Sequence, residues 1–485
     1  MNSIGGTFAF WGSYNTEESL WEFITLIYTM LPILFANLII LISLSVDRCD
    51  KGWIKSLVFP CVWTGVWNLV VFTWPVGDYF NYAHVLLGIN EMMQFASFAG
   101  LGGLNFILSW GGSVGADLIK KYLENDLIVR IQKESSSPPS PTIDPNRHED
   151  LGDQHNDEIT VTVIPQNKNK NDNKPFIFKP PKSLLIYLLA LFMIITYGSI
   201  KLSTSYIPFY QQNIEKFTSS KLTKVGCVIK GNDIFDDNQY YIDRTIELAS
   251  NNNELILWSE TAGLVTRQEE LDNLIVIMKN ISVSYSTTIG FTFLDEIIKD
   301  RSYNRLIVIT PSGEVAIDYR KSHLVPISES ILTRGENQLQ TFESDNFGVV
   351  GAAICFDYNF PSLIGQASTK NVDFMLDSRP SGIYHPRINV IRTIENGFTM
   401  MRCDRYGISG VWDSNGQTYN AVPTLSNLTI SFDFPIKKRT KTVYGVFGES
   451  LGYICLVLAL IIVSLLAFFK FSKQENIKKK IKKWI

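Results

Sequence analysis

Three polar residues close apolar runs: Glu260 follows "LILWS", Lys321 follows "VAIDYR" and Cys355 follows "GVVGAAI". A thiol attacks a carbonyl as its thiolate, a carboxylate can take the thiol proton, and an ammonium can face the oxyanion that forms. Each residue also has an ordinary reading. Glu260 fits a helix-capping turn ("SET"), Lys321 a solvated strand end, and Cys355 a small buried hydrophobe. The order Glu, Lys, Cys at three strand ends is the stronger signal, because side chains converge on a crevice at such ends in layered α/β folds.

The elements that must position them lie between Thr223 and about Gly448. "KVGCVI", "ELILW", "TTIGFTF", "NRLIVIT", "VAIDYR", "GVVGAAI" and "VDFML" read as strands. "DNQYYIDRTIELAS", "EELDNLIVIMKN" and "PRINVIRTIENGFTMM" read as helices, and "PSGE" as a turn. Interleaved strands and helices with short connections predict an α/β sandwich with largely buried sheets.

The composition is 46% hydrophobic, high for a wholly soluble chain, and the apolar residues are unevenly spread. Five segments approach or reach bilayer length: Ile24 to Val46, Ser56 to Trp74, Phe95 to Val114, Ser183 to Ile200 and Tyr453 to Phe469. Basic residues follow the first span ("DRCDKGWIK") and crowd the tail ("KFSKQENIKKKIKKWI"), while the first 23 residues carry none. The positive-inside rule then puts the C-terminus in the cytoplasm and the segment between spans four and five in the lumen or outside. The expected organisation is three spans in 1–122, a disordered cytoplasmic loop over 123–182 and a span at 183–203. A catalytic domain at 223–448, a last span at 451–471 and a basic tail at 472–485 follow. The loop, "KESSSPPSPTIDPNRHED" onward, is too polar to fold alone.

Four ordered pieces, "ILWSETA", "DYRKSHLVP", "GAAICFDYNFP" and "RTIENGFTMMRCDRYGISGVWDSNG", resemble the carbon–nitrogen hydrolase (nitrilase) superfamily. That resemblance implies a four-layer αββα nitrilase-like sandwich, here inserted in an all-α bundle of about five transmembrane helices. It also implies a Glu260–Lys321–Cys355 triad. With the membrane segments, the chain is similar to the apolipoprotein N-acyltransferase branch, as "QFASFAGLGGLNFILSW" and "KSHLVPISE" also suggest. It departs from that branch at Asp357, where the acyltransferases carry Glu, and in "PISES".

The implied chemistry passes an acyl group from a lipid through a thioester on Cys355 to an amine. Glu260 acts as base, and Lys321 and the backbone N–H of Phe356 face the oxyanion. A phospholipid is the expected donor and a protein N-terminus one candidate acceptor. Hydrolysis by an amidase and a silent membrane scaffold are the alternatives. The resemblance places a second carboxylate at Glu329, and Asp357 can help fix the nucleophile's geometry. His323 reads as structural. Cys227 and Cys403 read as core positions, with a disulfide open to them if the domain is luminal.

No metal or cofactor is expected, since the six cysteines are scattered without CxxC and the five histidines form no tract. A net charge of −3 suggests no nucleic-acid partner. Sequons at Asn280 ("NIS") and Asn427 ("NLT") fall in the segment read as luminal. Lys482 and Lys483 in "KKWI" resemble a dilysine retrieval signal, which with the sequons gives an endoplasmic reticulum or other secretory-pathway membrane as the expected location.

Overall fold

The computed structural model describes residues 55–135, 180–216, 222–230, 238–326, 328–379, 385–424, 427–435, 438–462, 464–465 and 468. The expected span from Ile24 to Val46, the Pro-rich loop after residue 135 and the basic tail lie outside these residues.

Three long helices come first: α1 (Lys55–Thr73), α2 (Ala96–Ser135) and α3 (Lys182–Lys216). Next come β1 (Thr223–Ile229), α4 (Asn238–Ser250), β2 (Leu255–Trp258), β3 (Gly263–Val265), α5 (Gln268–Tyr285), β4 (Thr288–Ile298), β5 (Arg301–Ile309) and β6 (Val315–Arg320). The second half holds β7 (Gln340–Ser344), β8 (Gly348–Ile354), β9 (Phe374–Arg379), α6 (His385–Asn396), β10 (Thr399–Asp404), β11 (Ile408–Trp412), β12 (Thr418–Pro423) and β13 (Leu428–Phe434). A last apolar helix, α7, covers Ser450–Ile462.

The strands form two sheets. One runs β13-β1-β2-β4-β5-β6 with β3 attached to β4, and the other runs β12-β11-β10-β9-β8-β7. Each has a parallel centre, β1-β2-β4 in the first and β10-β9-β8 in the second, flanked by antiparallel strands.

Side-chain alternation explains why the strand runs are continuously apolar. On β2, Leu255 and Leu257 enter the core between the sheets, while Ile256 and Trp258 pack under α4 and α5. On β5, Leu306 and Val308 face inward, and Ile307 and Ile309 face the helices. Both faces are dry, so both parities must be apolar. Helix α6 covers the outer face of the second sheet, which completes the expected αββα order.

Helix α6 also meets α2, where Ile391 and Ile394 share a buried cluster with Leu101 and Leu104. The αββα unit is therefore packed directly on the apolar helices.

Among the described residues, two helical segments, Ser56–Thr73 and Lys182–Ser203, are long and apolar enough to cross a membrane. Only 17% of the second is buried inside the protein, and Leu188, Leu189, Phe192 and Met193 are exposed on it. The expected third span falls in α2, which is broken at Gly100 (φ 63°, ψ −168°). A Cβ there would collide with the Tyr444 ring, so glycine is needed for the close approach as well as for the backbone. The expected fifth span, Tyr453 to Phe469, begins in α7, and part of its remainder lies outside the described residues.

Two sequence boundaries are corrected. Helix α2 continues to Ser135, so residues 123–135 are helical rather than part of a disordered loop. Helix α3 runs to Lys216, and the apolar stretch within it, Lys182–Ser203, coincides with the expected span at 183–203. The helix expected through Met401 stops at Asn396, where Gly397 (φ 78°) turns the chain into buried β10.

Cys227 on β1 and Cys403 on β10 form a disulfide between the two sheets, with Cα atoms 5.6 Å apart and 176 residues between them in sequence. We predict that a non-reduced digest yields the Cys227–Cys403 cross-linked peptide. Replacing both cysteines by alanine should lower stability by roughly 2–5 kcal/mol in denaturant titrations. Recovery of both thiols free would refute the pairing.

Candidate active site

Glu260, Lys321 and Cys355 leave the ends of β2, β6 and β8, and the sandwich brings these ends together. Lys321 Nζ donates to Glu260 Oε1 at 2.7 Å and to Glu329 Oε1 at 2.7 Å. The Lys321 and Glu260 side chains are each 1% exposed, and Glu329 is 16% exposed. One ammonium thus bridges a deeply buried carboxylate and one at the rim.

Cys355 is buried and begins a 3-10 turn, Cys355–Asn359, with a left-handed φ of 46°. A non-glycine residue holds this conformation only when its surroundings fix it. Several contacts do so. Arg379 Nη2 donates to the Cys355 carbonyl at 3.0 Å, Arg392 Nε to the Tyr358 carbonyl at 2.9 Å, and the Asp78 N–H to the Asn359 carbonyl at 2.9 Å. Phe356 packs its ring against Tyr79 and Phe360. Glycine at 77 lets residues 76–81 lie against the turn, since a Cβ there would strike Asn359 O.

Asp357, fully buried, faces the lysine loop. It accepts from Tyr319 Oη at 2.7 Å, Ser322 Oγ at 2.9 Å, and the N–H groups of His323 at 2.8 Å and Ile354 at 3.2 Å. His323 stacks on Phe360 with centroids 3.7 Å apart and its Nδ1 lies 3.1 Å from Asp357 Oδ1, a structural environment. Asn280 is exposed on α5 and Asn427 is exposed just before β13, both away from this cluster in sequence and fold.

Three contributors escaped the sequence reading. Asn304 Nδ2 donates to Glu260 Oε1 at 2.6 Å. Arg405 Nη2 donates to the carbonyls of Glu260 at 3.1 Å and Thr261 at 3.2 Å. Arg379, at the end of β9, is the third. The strand-end logic that selects Lys321 applies equally to Arg379. Asn304 was findable too: it shares the inward parity of Leu306 and Val308 and is polar.

The electrostatics follow from burial. Burial raises the Glu260 pKa, Lys321 opposes that rise and Glu329 adds to it. Burial works against the Lys321 ammonium, but Glu260, Cys355 and Glu329 outweigh it and raise its pKa. Burial also raises the Cys355 thiol well above its usual value, with Glu260 adding and Lys321 and Arg379 opposing. The cluster combines a proton-avid carboxylate, a fixed cation and a neutral thiol in one dry crevice. Among the described residues, no group of three or more His, Cys, Asp or Glu could hold a metal ion.

The carbon–nitrogen hydrolase model matches residues 225–431. An apolipoprotein N-acyltransferase of Rickettsia bellii (strain RML369-C) is 23% identical over 348 residues, covering 63% of this chain and 64% of that protein. The chain thus spans less than two thirds of that relative's length. A "hydrolase in agr operon" of Staphylococcus lugdunensis is 25% identical over 213 residues, covering 40% of this chain and 91% of that protein. A solved amidase from Nesterenkonia sp. superposes with a TM-score of 0.41 at 16% identity, covering 48% of this chain and 95% of that chain. Residues 225–431 are a carbon–nitrogen hydrolase domain, carried in a chain that resembles the apolipoprotein N-acyltransferases.

Proposed function

We propose that this protein is an integral-membrane, cysteine-dependent N-acyltransferase. It moves an acyl group from a membrane lipid, with phospholipid as the donor class, through a Cys355 thioester to an amine acceptor. The observation that carries this reading is the coupling of the crevice to the apolar helices. Asp78 and Tyr79, just beyond α1, touch the same turn that presents Cys355. These contacts set the nucleophile turn against the end of an apolar helix long enough to cross a bilayer.

In the first half-reaction Glu260 takes the Cys355 proton, and sulfur attacks the ester carbonyl. The oxyanion faces Lys321 and the Phe356 N–H. Collapse breaks the C–O bond, Glu260 returns the proton to the departing alkoxide, and the acyl group remains on sulfur. In the second half-reaction the amine nitrogen attacks the thioester and gives a proton to Glu260. The C–S bond breaks and the thiolate recovers that proton. Glu329 shares Lys321, and Asn304 and Arg405 hold Glu260 in place.

The organisation we favour keeps the domain at 223–448 luminal or extracellular and the C-terminus cytoplasmic, in a secretory-pathway membrane. Support comes from the placement of basic residues, from the Cys227–Cys403 disulfide, which persists in oxidising compartments, and from the exposure of Asn280 and Asn427. The second reading, an amidase that passes the acyl group to water, draws on the Staphylococcus lugdunensis hydrolase, which aligns over 91% of its own length. The intact Glu260, Lys321 and Cys355 set disfavours a silent scaffold.

An acyl or thiol probe should label the wild type and leave Cys355→Ala unlabelled; equal labelling of both rejects the nucleophile. With labelled phospholipid, an amine acceptor should become acylated, and release of free fatty acid alone would select the amidase reading. Because Glu260 must be ionised to accept the proton, activity should rise with pH through its raised pKa. The acid limb should therefore lie above the ordinary carboxylate value of about 4.3. Lys321→Met removes the cation that opposes this rise, so the limb should move further up and the rate fall on the order of 10²–10³-fold. Asn304→Leu should move the limb in the same direction with a loss of about 10-fold. Glycosidase sensitivity lost in Asn280→Gln tests the luminal orientation, which a cytosolic catalytic domain would overturn.

A further inference from the structure

Beneath the nucleophile turn, α1, α2 and the chain just before α7 enclose a second polar site. Its lining includes Thr64, Asn68, Asp78, Asn81, Asn105 and Glu449, and Pro361 of the catalytic turn closes one side. Thr64, Asp78 and Asn105 are each 1% exposed, and Asn68 is 5% exposed. Four atoms of these residues, Thr64 Oγ1, Asn68 Nδ2, Asp78 Oδ1 and Asn105 Oδ1, have no hydrogen-bond partner among the described residues. Leaving such groups unmet is costly, and the four residues that carry them all line this one small space.

The neighbouring polar atoms are already engaged. Asn81 Oδ1 accepts from Ala83 N at 3.0 Å and from Asn105 Nδ2 at 2.7 Å, and Glu449 Oε1 accepts from Tyr444 Oη at 2.7 Å. Asp78 Oδ2 and Glu395 Oε2 both pair with Arg392. Oxygen acceptors therefore dominate what is left: Thr64 Oγ1, Asp78 Oδ1, Asn105 Oδ1 and the second oxygen of Glu449. Asn68 offers a nitrogen as assigned, and rotating its amide would present the oxygen instead.

Charge points the same way. The carboxylates of Asp78, Glu395 and Glu449 act on one another around a single guanidinium, Arg392. Three carboxylates thus surround one guanidinium, and the site is short of positive charge.

We propose that this cavity binds one small monovalent cation of the Na⁺ class through Thr64, Asp78, Asn105 and Glu449. Carboxylate, amide and hydroxyl oxygens suit a hard cation. The free space holds about one water-sized sphere, which disfavours Ca²⁺ with its six to eight oxygen ligands and Mg²⁺ with its retained waters. The bound ion would tie α1 and α2 to Asp78, which holds Asn359, and to Arg392, which holds Tyr358. Occupancy would stiffen the turn that carries Cys355. This inference stands on the cavity's own groups and holds for transfer or hydrolysis alike.

The test uses the full chain in nanodiscs, comparing NaCl with choline chloride at equal ionic strength. In Na⁺ the unfolding temperature should rise by about 1–2 °C at tenfold excess over the dissociation constant, and hydrogen exchange at 77–81 and 355–361 should slow. Thr64→Val, close in shape and lacking the oxygen, and Asn105→Leu should stay folded and lose the Na⁺ response. An equal response to both salts overturns the proposal, as does a Thr64→Val variant that keeps the full Na⁺ effect. A response to micromolar Ca²⁺ with none to Na⁺ also overturns it.

Discussion

The buried ammonium of Lys321 is the constraint around which the catalytic half is arranged. An amine at 1% exposure without a counter-charge would cost several kcal/mol, so the fold must deliver carboxylates to it. It delivers two, from different directions: Glu260 off the end of β2 and Glu329 from the loop after β6. The ends of β2 and β6 in the first sheet and the loop after β6 are then tied together by one cation. Burial keeps the Cys355 proton in place at rest, and the Glu260 and Glu329 carboxylates add to that against the pull of Lys321 and Arg379. A proton-avid Glu260 is the group best suited to remove it when a carbonyl arrives.

The second constraint is the shape of the nucleophile turn. Carbonyls of Cys355, Tyr358 and Asn359 are taken by Arg379, Arg392 and the Asp78 N–H, while Asp357 is anchored to the lysine loop. These donors come from β9, α6 and the segment after α1, so the strained φ of Cys355 is fixed by three separate elements. Arg392 is the most connected of them. It is fully buried and pairs with Asp78 across 314 residues of sequence, and Glu395 is its second counter-charge. Through it, the outer layer of the sandwich, the segment after α1 and the catalytic turn are bonded to one another.

Much of this was legible because strand ends announce themselves. Glu260, Lys321 and Cys355 each interrupt an apolar run, and a polar residue there must meet water, a partner or a substrate. Elements were equally readable where burial on both faces made them uniformly apolar, as in β2, β5 and β8. What was hidden depends on long-range pairing. Nothing local marks Asp78 as the partner of Arg392, or Cys227 as the partner of Cys403. Asn304 looks like a stray polar residue until Glu260 is seen beside it. The boundary errors have a local cause instead. The charged, helix-forming run "KKYLEND" reads as polar loop by composition, and "GFTMM" continues a helical pattern until Gly397 adopts a conformation that ends it.

Asp357 shows how a departure from a family pattern changes meaning once contacts are known. In sequence it stands where the similar acyltransferases carry a longer carboxylate, which suggests altered chemistry at the thiol. In the fold its two oxygens are consumed by Tyr319, Ser322 and the N–H groups of His323 and Ile354. A carboxylate so committed has no lone pair to spare for a substrate and acts as a strap between the lysine loop and the nucleophile turn. His323 stacked on Phe360 adds a second contact between those two segments. Differences in donor or acceptor must then arise elsewhere. The rim that holds Glu329 is the place to look, because it is the part of the cluster that still faces solvent.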